Sequence, residues 1–96
     1  MQNHPYSLLK TELETMKQEL TASLRRHETE ILWNEHGKRP DVVQYIKDDL
    51  DDVERALFKF QIGLFGIDEA TGDKIPLKKL KVLPTARTEK DVYFIH

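Results

Sequence analysis

The sequence predicts a mainly α-helical protein: an antiparallel two-helix coiled-coil hairpin over residues 1–62, then a small metal-free knuckle with short strands over residues 63–96. Three observations carry this. Apolar residues recur at spacings of three and four through two long stretches, which places them on one face of a helix in each. A glycine and a proline interrupt the pattern between those stretches, at Gly37 and Pro40. From Gly63 onward the helical period gives way to short runs punctuated by glycine and proline.

The first helix is expected over about residues 6–35. Pro5 suits its start, because the proline ring fixes a helix-compatible φ where no N–H partner is needed. Leu9, Leu13, Met16, Leu20, Leu24 and Ile31 form one line, with His27 on it. Ser7 or Thr11 fits a first-turn cap, with Glu14 three residues after Thr11. Gly37 suits a left-handed helix end, His36 a cation near the helix C-terminus, and Pro40 the entry to the second helix. That second helix, over residues 41–62, has the cleaner stripe: Val43, Ile46, Leu50, Val53, Leu57, Phe60 and Leu64 read as a heptad seam. The stripe needs cover from water. The turn at 36–40 is short, so helix 1 is the nearest cover and the pairing is antiparallel. At about 1.5 Å per residue the helices run roughly 44 Å and 34 Å.

Gly63 and Gly66 end the second helix. Thr71-Gly72-Asp73-Lys74 is a turn signal between two short strand-like runs, Phe65-Gly66-Ile67 and Lys74-Ile75. Pro76 and Pro84 bracket a short helical turn with Leu77, Leu80 and Leu83 inward, and Val92-Tyr93-Phe94-Ile95 reads as a strand or an apolar tail.

Composition narrows the function classes. The 96 residues suit one small unit, 39% hydrophobic and 33% charged, and a low apolar fraction fits a narrow seam better than a thick core. A formal net charge of -2 excludes a generally basic nucleic-acid binder. The absence of cysteine excludes disulfides and thiolate metal sites. The first thirty residues lack the apolar core of a signal peptide, and no run approaches the ~20 apolar residues of a membrane span, so a cytoplasmic protein is expected. His4, His27, His36 and His96 are scattered without metal-ligand spacing, and His27 reads as a boundary residue of the seam. With no phosphate loop, nucleophile elbow or paired catalytic carboxylates, neither a catalytic residue nor a cofactor is expected, and the protein reads as non-enzymatic.

The C-terminal third carries a more specific signal. Glu54-Arg55-Ala56-Leu57, Gly63-x-Phe65-Gly66, Ile75, Leu80 and Pro84-Thr85-Ala86 follow one another in the order and spacing of the C-terminal knuckle of the DksA/TraR zinc-finger family, bacterial proteins that act on RNA polymerase. The chain resembles that family over residues 54–87, and the hairpin resembles it in architecture. Thr71-Gly72 followed by Ile75-Pro76 looks closest to the Bacillus-type sporulation and stress branch. The resemblance implies cysteines at Asp68 and Thr71, with a second pair falling near Glu89 and Val92. Asp is a possible zinc ligand, Thr a poor one and Val none, so the finger is degenerate and without metal. Packing by Phe65, Ile67, Ile75, Leu77, Leu80 and Leu83 is expected to replace the ion, with Tyr93 and Phe94 as a clasp across the finger.

The resemblance implies a transcription regulator that binds RNA polymerase near its secondary channel, in stress or sporulation. Two alternatives stand beside it: an interaction module of the same fold with another protein partner, and a structural protein that self-associates through the helix 2 seam. The candidate contacts of the hairpin tip are Trp33, Arg39, Asp41 and Tyr45. Asp41 is the one residue of the turn able to stand for a family tip aspartate, and it equally fits an ordinary helix cap. Trp33 and Tyr45 fit either core packing or an exposed contact. The candidate contacts of the knuckle are Lys78, Lys79, Lys81 and Arg87. They lie in a basic stretch, residues 74–90, that is opposite in sign to the acidic start of helix 2 at Asp41, Asp48, Asp49, Asp51, Asp52 and Glu54. Solvated faces account for both stretches; the sharper reading is a basic knuckle meeting an acidic surface while the acidic helix faces a basic channel. Aromatic residues are not interleaved with the basic stretch, so direct sequence-specific nucleic-acid binding is not expected.

Overall fold

A computed structural model describes residues 5–33 and 40–94. Two long helices, α1 (Pro5–Trp33) and α2 (Pro40–Gln61), pack against each other, followed by a short helix α3 (Leu77–Val82) and a 3-10 helix at Glu89–Phe94. The pairing of α1 with α2 is antiparallel. Lys47 reaches Glu28 at 4.0 Å near one end, while Tyr6 meets Phe65, just past α2, at the other. The predicted turn, with His36, Gly37 and Arg39, lies outside the described residues.

The seam follows the predicted stripes with local differences. Leu9 and Leu13 are buried on α1, and Met16 and Leu20 pack beside them. Val43, Ile46 and Val53 are buried on α2. Ser7 and Thr11 do not cap α1, because the helix already begins at Pro5; the Thr11 hydroxyl instead donates to the Ser7 carbonyl at 3.1 Å. His27 is half-buried and its Nδ1 donates to the Ser23 carbonyl at 2.8 Å, as a boundary residue does.

The last predicted seam position, Leu64, falls outside α2 and is 49% exposed. The reason is the helix end. Gly63 adopts φ +76°, the Leu64 N–H donates to the Lys59 carbonyl at 2.8 Å, and the Gly63 N–H donates to the Phe60 carbonyl at 3.3 Å. This is a Schellman termination, and it turns Leu64 away from the seam line.

Beyond it, residues 64–94 fold back onto the open end of the hairpin. One core cluster joins both parts: Leu9, Leu13, Val53 and Ala56 from the helices, and Phe65, Ile75, Leu80 and Ala86 from the C-terminal segment. Phe65 is the pivot. Its ring stacks on Phe60 at 3.9 Å between centroids and takes the edge of Tyr6 at 5.2 Å. The fully buried Leu13, Val53, Ile75 and Leu80 each contribute about 1.5–3 kcal/mol of apolar burial.

The predicted short strands are not present among the described residues. The two runs meet only in an isolated antiparallel bridge between Ile67 and Lys74. Two backbone bonds flank it, Ile75 N–H to Gly66 O and Asp68 N–H to Asp73 O at 2.7 Å each, and the N–H groups of Ala70 and Thr71 between the runs turn to the Asp68 carboxylate. The predicted strand at residues 92–95 is, as far as Phe94, the 3-10 helix, whose Val92 packs on the core while Tyr93 is 64% exposed.

Candidate partner-binding site

The C-terminal segment is organised around one buried carboxylate. Asp68 is only 6% exposed. Its Oδ1 accepts the N–H groups of Ala70 at 2.7 Å and Thr71 at 3.1 Å, which closes a tight loop. Its Oδ2 accepts the N–H of Glu89 at 2.9 Å, twenty-one residues further on. Asp68 therefore braces the loop at 68–73 to the start of the 3-10 helix. The N–H of Glu89 and those of Ala70 and Thr71 hold its carboxyl below the ordinary carboxylate range, against the opposing effect of burial. A backbone bond from Glu69 N to Arg87 O at 2.7 Å runs parallel to this brace. A second carboxylate acts nearby: Asp91 Oδ2 accepts the N–H groups of Arg87 and Thr88 at 2.9 and 3.1 Å. Burial pushes the Asp91 carboxyl up, but those two N–H groups prevail and it too lies below its ordinary range.

Ion pairs tie this unit to α2. Arg55 pairs with Glu69 through both Nε and Nη2, and Lys59 Nζ donates to the Ile67 carbonyl at 2.9 Å and to Glu69 at 3.3 Å. Arg55 and Lys59 stand one turn apart, so a single carboxylate meets both. The Arg55 hydrogen bond is the largest influence holding the Glu69 carboxyl below its usual range, and the same bond raises the Arg55 guanidinium. Lys59 is 9% exposed, and the bond to the Ile67 carbonyl satisfies a charge that burial alone would disfavour.

The four predicted knuckle contacts divide into two kinds. Lys79 is held inside the segment by Glu89 and by the Tyr93 hydroxyl, with its Nζ 4.4 Å from the Tyr93 ring centroid; the Glu89 bond is the main cause of its raised pKa. Arg87 Nη2 donates to Asp52 of α2 at 2.7 Å. Lys78 and Lys81 are exposed on α3, three residues apart, and form the outward cationic pair. At the other end of the hairpin, Trp33 is the last residue of α1, Asp41 the second of α2, and Arg39 lies outside the described residues. Tyr45 is 66% exposed, which sets aside core packing for it.

Of the four positions that the sequence resemblance sets against zinc ligands, Asp68 and Thr71 share one hydrogen-bonded loop, Glu89 is joined to it through Asp68, and Val92 is packed on the core. Sequence reasoning marks Asp68 only as a vacated position. It misses Arg55, Lys59 and Glu69 as a network, the pairing of Asp52 with Arg87, and Asp91. The i,i+4 placement of Arg55 and Lys59 is a visible signal; the partners at Glu69 and Asp52 depend on chain reversal and have none. Among the described residues no cluster of metal-ligating side chains occurs, and no helix is long and apolar enough to cross a membrane.

The described residues thus define a helical hairpin with a carboxylate-braced C-terminal segment packed at its open end. The chain is similar to the uncharacterized protein YlyA of Bacillus subtilis (strain 168), with 38% identity over 99 aligned residues, covering 96% of this chain and 79% of that protein. It belongs to the YlyA family. No protein-family model matches the chain. No solved structure matches it.

Proposed function

We propose that this protein is a cytoplasmic, non-enzymatic transcription regulator that binds RNA polymerase near its secondary channel, with a C-terminal segment that is a metal-free zinc-finger knuckle of the DksA/TraR type. The observation that carries the reading is the Asp68 brace. The first two positions at which the resembled family holds zinc share one loop here, and the Asp68 carboxylate joins that loop to Glu89, next to where the second pair is placed. A carboxylate accepting backbone N–H groups from both halves substitutes for an ion that would have ligated both halves. A Bacillus relative is in keeping with the sporulation and stress branch.

In this reading the tip residues Trp33, Arg39, Asp41 and Tyr45 probe the channel while the knuckle rests on its rim. Lys78 and Lys81 meet an acidic polymerase surface, and Lys79 and Arg87 shape the knuckle that presents them. Affinity purification of the tagged protein from growing and stationary cells is expected to enrich RNA polymerase, and the purified protein to change the lifetime of promoter open complexes. Absence of both effects would sink the reading.

A further inference from the structure

The C-terminal segment covers only part of one side of the hairpin. Where it stops, at Leu83 and Thr85, an open groove of about 530 Å³ continues along the α1–α2 seam. Its floor is apolar, made by the half-buried Met16, Leu20 and Leu83 over the buried Val53. Its walls carry the carboxylates of Glu19, Asp49 and Asp52 against a single cation, Arg26. Asp52 is engaged by Arg87, but neither Glu19 nor Asp49 pairs with a described residue. The opposite side of the hairpin differs in sign: the groove there is flanked by Lys10, Lys17 and Arg25 against Glu14. The two sides of one hairpin thus carry opposite charge, and the first is the more apolar of the two.

We propose that the acidic groove is a docking site for a cationic amphipathic helix of a partner protein. Apolar side chains at i, i+3 and i+4 of that helix seat on the half-buried Met16, Leu20 and Leu83, and lysines or arginines beside them face Glu19 and Asp49. On α1 the groove runs from Met16 to Arg26, about 15 Å at 1.5 Å per residue, which accommodates two to three turns of such a helix. The chain's own cationic segment, α3, is not the occupant, because its Leu80 is fully buried in the core of its own molecule. This site is separate from the tip and from Lys78 and Lys81.

The test uses the full chain, isotope-labelled, titrated in an NMR experiment with a synthetic Leu/Lys amphipathic peptide of about ten residues and with its Leu/Glu counterpart. The Leu/Lys peptide is expected to saturate shifts at Met16, Leu20 and Leu83, and the Leu/Glu peptide to leave them in place. Glu19→Lys with Asp49→Lys is expected to weaken binding about tenfold or more, and high salt to weaken binding to the parent. Both positions are exposed and unpaired, so a circular-dichroism melt is expected to match that of the parent. Equal binding of both peptides, shifts confined to other surfaces, or indifference to the double substitution would overturn the proposal. So would a concentration-dependent dimer abolished by the same substitution, since a second copy would then be the occupant.

Discussion

At the scale of the residue, Asp68 carries a consequence that a metal site would not. Its carboxyl sits below the ordinary carboxylate value of about 3.9 because three backbone N–H groups favour the charged form. A group depressed on folding contributes stability that is present above its unfolded pKa and lost as the pH falls through its folded one. Asp91 and Glu69 are depressed in the same sense, so the three act together on the acid side. Stability measured by urea unfolding is therefore expected to fall steeply on acidification below about pH 4. Asp68→Asn is expected to lower the melting midpoint at neutral pH and to flatten that acid limb, because an amide cannot accept on both sides of the brace. An unchanged limb would remove Asp68 from the account. A chelator is expected to leave the melting curve of the parent protein in place, and a fall on chelation would mean that an ion shares the load.

At the scale of the element, the end of α2 decides where the C-terminal segment starts. Gly63 at φ +76° lies in the region that costs an L-residue about 1–2 kcal/mol, with nothing within 4 Å of an added methyl, so Gly63→Ala is expected to lose about that much stability. Gly66 at φ +83° has the same strain, and in addition a Cβ there would stand 2.8 Å from the Tyr6 hydroxyl and 3.3 Å from Leu80. Gly66→Ala is expected to cost more than Gly63→Ala in chemical denaturation, and the reverse order would argue against close packing of Tyr6 on the segment. Leu80→Ala, at the centre of the shared core, is expected to cost about 2–5 kcal/mol. These elements also show what is legible in the sequence. The 3.6-residue period of α1 and α2 depends on local spacing, and it places both helices to within a few residues. The inward Leu77, Leu80 and Leu83 are legible for the same reason. The pairs at 65–67 and 74–75 read as strands from β-rich composition, and Ile75 N–H to Gly66 O and Asp68 N–H to Asp73 O do bridge them, but the Ile67 N–H turns back to the Leu64 carbonyl and the pairing ends at one bridge. Ala56 and Lys59 are buried because a second layer covers that flank of α2, and a heptad count sees only the first partner.

At the scale of the whole molecule, the basic stretch of residues 74–90 resolves into cations that build and cations that remain available. Lys79 and Arg87 are engaged by Glu89, Tyr93 and Asp52, whereas Lys78 and Lys81 project from α3 with no ion pair to a described residue. This division gives the polymerase reading its sharpest test. Exposed charges without partners contribute little to folding, typically within about 0.5 kcal/mol, so Lys78→Glu with Lys81→Glu is expected to melt like the parent. Charges that meet a complementary surface govern encounter and salt dependence, so the same protein is expected to bind RNA polymerase about tenfold or more weakly and with a shallower response to salt. Arg87→Ala makes the converse case. Its ion pair with Asp52 is about half exposed and is worth at most about 1 kcal/mol, so a small loss of stability is expected. Binding to polymerase is expected to change less than for the α3 pair, because Arg87 turns toward α2. Both variants are compared with the parent by calorimetric melting and by retention on immobilised polymerase. If the α3 pair melts normally and binds as tightly as the parent, the knuckle does not anchor through its basic face, and the tip at Asp41 and Tyr45 is left to carry the contact alone.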